Sequence, residues 1–174
     1  MIDIRAYMRE LVGTLKTVFE NRLLYVGLQG SYLRAEATEK SDIDVMVVID
    51  EMKPNDLKEY KKVLKEIGNY DKSCGFICGS KELLNWNPQE ICHLLNTTAD
   101  YYGTLEDFVP KYNRMDIADY IKLSTGNLYH MLCHRYVYDD IEKNKMKLPL
   151  IYKDIFYILQ NVYYLENGEF IQTK

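Results

Sequence analysis

The sequence predicts an α/β fold: a short mixed sheet with helices on one side, followed by a helical C-terminal extension. Three observations point there. Apolar runs of strand length at 23–28, 43–49 and 73–78 alternate with stretches of helical apolar spacing, the order expected of a small α/β sheet. From Pro88 onward these runs give way to longer helical patterns. The 174 residues suit one compact domain with a helical appendage, and 47% hydrophobic content is enough to fill its core without disulfides or structural metal.

The elements follow in order. Ile4, Met8, Leu11, Leu15, Val18 and Phe19 recur at helical spacing, so a helix is expected over 3–20, ended by Asn21-Arg22. Leu23 to Leu28 reads as a short buried strand that stops at Gln29-Gly30-Ser31. Tyr32 to Lys40 is polar and helix-compatible, and leads to the strand Ile43 to Ile49. Pro54-Asn55-Asp56 starts a helix whose apolar face is Leu57, Tyr60, Val63, Leu64 and Ile67, and Gly68 closes it. Ser73 to Cys78 is a third strand, bounded by Gly79-Ser80. Beyond it, 88–97 reads as helix, Tyr101-Tyr102-Gly103 as a short strand and Glu106 to Asn113 as a linker. Two helical patterns, 114–137 and 149–166, are joined by the charged segment Asp139 to Lys147. The expected division is a core over 1–110 and a helical domain over 111–174.

Composition excludes some partners. The net charge is −4 and no Lys/Arg stripe appears, which argues against a polymeric nucleic acid but not against a single nucleotide. The longest apolar run, Val45 to Ile49, is far too short to span a bilayer, so no membrane partner is expected. The N-terminus opens an amphipathic helix rather than a signal peptide, and Cys74, Cys78, Cys92 and Cys133 lack zinc-like spacing. Free thiols in a reducing cytoplasm are the simplest account. Sixteen tyrosines suggest helix interfaces with wet edges, and aromatic helices without an obvious polar face make a homodimer reasonable.

The chemistry is concentrated between residues 27 and 45. Gly30-Ser31 follows a strand and precedes a helix-compatible stretch, so backbone N–H groups and the Ser hydroxyl are offered to an anion, and glycine lets a phosphate approach closely. Asp42 and Asp44 are two apart on a strand, which projects both carboxylates from one face while Ile43 and Val45 enter the core. Paired hard oxygen ligands suit Mg²⁺ or Mn²⁺, completed by substrate phosphates and water. Either half alone is ordinarily a turn or a solvated strand; together at this spacing they form a coherent site for nucleotidyl transfer.

The stretch Gly30-Ser31, then Arg34-Ala35-Glu36-Ala37, then Ser41-Asp42-Ile43-Asp44 resembles the signature of the DNA polymerase β-like nucleotidyltransferase superfamily. It is most similar to the bacterial branch of minimal and aminoglycoside nucleotidyltransferases. The resemblance is specific over 27–48 and extends in element order over about 1–105. It implies that Gly30, Ser31 and Ser41 hold a nucleoside triphosphate and that Asp42 and Asp44 hold metal. Arg34 matches by position as a nucleotide-binding residue or, alternatively, as an ion-pair partner of Glu36. The implied reaction moves a nucleoside monophosphate, AMP from ATP, to a hydroxyl acceptor on a small molecule or protein.

Active relatives add a third carboxylate on the next strand, but Ser73 to Cys78 contains none. Asp71 is the first candidate for that role, with Glu82, Glu90 and Asp100 as alternatives. The missing acid motivates a second reading, an antitoxin-like scaffold of weak or no activity that binds a helical partner protein. Related chains continue past a segment like 163–170, so ending at Lys174 is expected to leave the helical part short. His130 and His134, one helical turn apart, lack a third metal ligand and read as a core or interface face. The cationic stretch Lys143 to Lys147 reads as a solvated loop able to steer an anionic substrate.

Overall fold

The structure, a computed structural model, describes residues 2–173; Met1 and Lys174 lie outside the described residues. The chain divides into two compact units, one reaching to Asn87 and including Leu94–Pro110, the other formed by Pro88–His93 and the residues from Lys111 onward.

In the first unit, α1 (Ile4–Phe19) begins where the Asp3 carboxylate accepts hydrogen bonds from the amides of Arg5 and Ala6, both at 3.1 Å. Its buried stripe is Tyr7, Met8, Leu11, Leu15 and Phe19. β1 (Leu23–Leu28), β2 (Ile43–Ile49), β3 (Ser73–Gly79) and β4 (Ala99–Tyr102) form a sheet of order β3-β2-β1-β4. β1 runs antiparallel to β2 and β4, whereas β2 and β3 are parallel, so the sheet is mixed as expected. The helix α3 (Pro54–Glu66) makes the crossover that two parallel strands require.

Strand parity sorts the core. Val26, Leu28, Ile43, Val45, Val47 and Ile49 meet the stripe of α1 and Tyr60 and Val63 of α3. Tyr25, Met46, Val48 and Cys78 face the other way. That second face is also covered, by Leu83 of the short helix α4 (Ser80–Leu84) and by Leu105 of the 3-10 turn Leu105–Phe108. Cover is therefore present on both sides of the sheet rather than one. It thins toward the start of β2, where Asp44 is half-buried and Cys74 and Asp100 are exposed.

Arg22 pins the opposite end of the sheet. Its guanidinium donates to Asp50 at 2.9 Å, to both oxygens of Asp56 at 2.9 and 2.8 Å, and to the Glu51 carbonyl at 2.7 Å. The Arg22 fork, with the Lys53 amide adding a bond, holds the Asp56 carboxyl below its ordinary range. Arg22→Ala strands Asp56, whose side chain is 8% exposed, so urea denaturation at pH 7 should show a loss of about 2 kcal/mol, moderated by the exposure of Arg22. A depressed carboxyl contributes stability above its unfolded pKa of about 3.9 and loses it as pH falls through the folded value. The gap between wild type and variant should narrow from about pH 4 downward; an unchanged gap at acid pH would contradict this role.

Two sequence expectations change here. The helix expected over Tyr32 to Lys40 is a single turn, α2 (Gly30–Leu33), because Ala35 takes a positive φ of 57° and the Thr38 amide donates to the Ser41 hydroxyl, closing a local turn. The charged joint expected over Asp139 to Lys147 is mostly helix. In the second unit α6 (Arg114–Tyr138) is followed after two residues by α7 (Ile141–Asn167), N-capped by Asp140, whose carboxylate accepts from the Lys143 amide at 2.8 Å. Pro149 lies inside α7 and removes one helical bond without ending it. The helix α5 (Pro88–Asn96) contributes its first residues to this unit, where His93 packs among the rings of Tyr120, Tyr157 and Phe170. Among the described residues no helix is long and apolar enough to cross a membrane, and all four cysteines are free.

Candidate active site

The sequence motif folds onto the thinly covered end of the sheet. β1 ends at Leu28, and the Gln29 amide donates to the Asp44 carbonyl at 2.8 Å, so the turn is tied to β2. Gly30 then adopts φ 71°, a left-handed conformation that favours glycine. A β-carbon at Gly30 would collide with the carboxylate of Asp44. The Gly-Ser turn and the acidic strand are thus in van der Waals contact. Gln29 gives no side-chain cap to α2; its amide instead donates to Thr98 Oγ1 at 2.8 Å. The first N–H groups of the turn remain for a ligand, and the Ser31 hydroxyl has no protein partner among the described residues.

Asp42 and Asp44 both act electrostatically on Cys74, which stands directly opposite Asp44 in the parallel β2–β3 pair. Local desolvation first, then the hydrogen bond to Asp44 and the charges of both aspartates, pushes the Cys74 thiol up. Neither aspartate has an ion-pair partner among the described residues. Two adjacent uncompensated carboxylates against a glycine cradle fit a hard divalent cation. Among the described residues no group of three or more His, Cys, Asp or Glu side chains is placed to hold a metal; an ion at this pair would take its other ligands from phosphate and water, as Mg²⁺ can.

Arg34 is committed elsewhere: its Nε donates to Glu36 at 2.9 Å, with only 12% of the Arg34 side chain exposed. Ser41 braces the turn after α2 by accepting from the Thr38 amide at 2.9 Å. Both order the loop between the cradle and the acidic strand.

The candidates for a third acid separate by position. Asp71 is not brought to the site face. It is exposed in the 3-10 turn Tyr70–Lys72, and its strand parity is that of Ser73, whose hydroxyl meets the Tyr7 hydroxyl on the α1 side at 3.4 Å. Glu82 abuts Gly79, which pairs with Ile49 at the far end of β2 from Asp44. Glu90 belongs to the second unit, near Tyr120. Asp100 alone shares the site face. It pairs with Gly27, which pairs with Met46, two residues along β2 from Asp44. From strand spacing and rise, its Cα is about 12 Å from that of Asp44, too far to share a metal ion but on the same surface. The buried Tyr25 ring sends its hydroxyl across Gly27, where a β-carbon would block it, to donate to Asp100 at 2.7 Å. Burial, then that bond, holds the Tyr25 hydroxyl far above its usual range, so it stays a donor.

Sequence reasoning missed the place of Cys74 and the Tyr25–Asp100 pair. The first was recoverable from parity once β3 was paired in parallel with β2; the second depends on residues 75 apart and had no local signal.

Comparisons with known proteins agree with this geometry. A family model described as a nucleotidyltransferase domain matches residues 8–123. A protein of Methanocaldococcus jannaschii named "Putative protein adenylyltransferase" is 33% identical over 69 residues, covering 40% of this chain and 68% of that protein. The crystal structure of spectinomycin adenyltransferase AAD(9) from Enterococcus faecialis, with ATP and spectinomycin, shares the fold at a TM-score of 0.57 and 17% identity, covering 96% of this chain and 78% of that one. The motif, the site built from it and the family match together establish that this chain belongs to the nucleotidyltransferase domain family and is an enzyme of nucleotidyl transfer.

Proposed function

We propose that the protein transfers AMP from ATP to a hydroxyl acceptor in a Mg²⁺-dependent reaction. The carrying observation is the contact of the Gly30 cradle with the Asp44 carboxylate, which joins a phosphate site to a metal site. The choice of adenylate is supported by the printed name of the archaeal relative and by the ATP bound to the enterococcal neighbour. Mg²⁺, when bound, neutralises charge on the transferred phosphorus and on the leaving pyrophosphate.

Asp42 and Asp44 would hold that ion. The N–H groups at Gly30 and Ser31 and the Ser31 hydroxyl hold the triphosphate. Ser41 borders the phosphates from the ordered loop, and Arg34 keeps that loop closed through Glu36. The acceptor oxygen attacks the α-phosphorus, the bond from that phosphorus to the bridging oxygen breaks, and pyrophosphate departs. Asp100, oriented by Tyr25, is the carboxylate that faces an acceptor lying on the sheet. Cys74, not a carboxylate, stands beside Asp44 on β3, which leaves Asp100 as the carboxylate to accept the acceptor's proton.

Incubation with α-labelled and γ-labelled ATP, Mg²⁺ and a panel of hydroxyl acceptors tests this reading. The panel should span aminocyclitols and candidate protein acceptors. The α label should move to one acceptor class while the γ label leaves as pyrophosphate, and Asp42→Ala/Asp44→Ala should reduce transfer by about a thousandfold or more. Movement of the γ label onto the acceptor would overturn the reaction type.

A further inference from the structure

The second unit carries a cluster that nucleotidyl transfer on the sheet does not use. Between α6 and α7 lies a cavity of about 380 Å³ whose walls include Asn127, His130, His134, Arg135, Asp139 and Lys147. The volume is at the small end for a ligand pocket. Lys147 Nζ is 3.2 Å from Asp139 Oδ2, so the one carboxylate in the wall is already matched by the one ammonium. Arg135 is left over. Arg22 and Arg34 each engage a carboxylate, whereas Arg135 has no side-chain ion pair or hydrogen bond among the described residues. Its Nη1 is covered and unsatisfied.

Asp139 attracts the half-buried Arg135 guanidinium without a hydrogen bond to it, so the planar fork is left to match an oxyanion. His130 and His134 sit one turn apart on α6 beside it, and each imidazole ring carries an N–H donor. We propose that this cavity binds a small phosphate-bearing anion, with Arg135 as the principal ligand and His130, His134 and Lys147 as further donors. The small cavity and the net charge of −4 fit a free phosphate or a mononucleotide rather than a polymer.

The chain has three histidines, so imidazole NMR signals report the cavity directly. Inorganic phosphate, pyrophosphate and AMP are titrated into the full chain without divalent metal, at constant ionic strength. Two histidine signals, those of His130 and His134, should shift saturably while that of His93 does not. Arg135→Gln should weaken the response about tenfold or more, and Asp42→Ala/Asp44→Ala should leave it unchanged. A tighter response to AMP than to phosphate assigns a nucleotide as the source of the anion; equal responses assign phosphate itself. No saturable shift in the wild type overturns the proposal, as does a shift that persists in Arg135→Gln. If that variant fails to fold, Lys147→Gln carries the weakening test in its place.

Discussion

Gly30→Ala is expected to keep the fold and to lower ATP affinity and transfer by about a hundredfold or more. Two effects combine. A φ of 71° costs an L-residue roughly 1–2 kcal/mol, which the well-covered core of the first unit can tolerate. The new β-carbon collides with the far end of the Asp44 side chain, which turns away instead of unfolding the strand. On the proposed reading, turning removes a metal ligand and fills the space left for a phosphate. Circular dichroism and the denaturation midpoint should therefore move little, while calorimetric binding of ATP with Mg²⁺ collapses. A variant that binds ATP normally would show that cradle and carboxylate are not one site.

Cys74→Asp is expected to act in the other direction. Cys74 faces Asp44 across the parallel strand pair on the face that carries the site. An aspartate there adds a third carboxylate beside Asp42 and Asp44. Without metal, three adjacent anions repel, so the variant should be less stable in EDTA. With Mg²⁺ the added charge is neutralised, and an oxygen ligand or proton acceptor stands next to the reacting hydroxyl. Turnover should rise by about ten- to a hundredfold, within the range that a positioned base contributes. The check is kcat for label transfer together with the thermal midpoint in Mg²⁺ and in EDTA. Turnover that falls while metal-dependent stabilisation is retained would show that the thiol is not standing in a carboxylate's place.

These predictions mark what could be read in the chain. The strands at 23–28, 43–49 and 73–79 were legible because each is a short apolar run bounded by turn residues, and parity along β2 placed Asp42 and Asp44 opposite Ile43 and Val45. The cradle was legible because its parts lie within fifteen residues of one another. Errors arose where local propensity met a tertiary or capping effect. The last helical pattern was expected from residue 149, but Asp140 caps the helix nine residues earlier. Residues 34–40 suit a helix by composition, yet the positive φ at Ala35 and the Thr38–Ser41 turn hold them as a loop. Asp71 was assigned by parity with Ser73, and Ser73 turns to α1 rather than to the site. Asp100 reaches the site face only through pairing with Gly27, a register that no local pattern carries.

The central claim is that Gly30, Ser31, Asp42 and Asp44 form one metal-dependent nucleotide site. Calorimetric titration of ATP tests it most directly, in three arms: wild type with Mg²⁺, wild type with EDTA, and Asp42→Ala/Asp44→Ala with Mg²⁺. Saturable binding in the first arm, lost in the other two, is the predicted result. Equal binding in all three arms, or none by folded wild type with Mg²⁺, would contradict it.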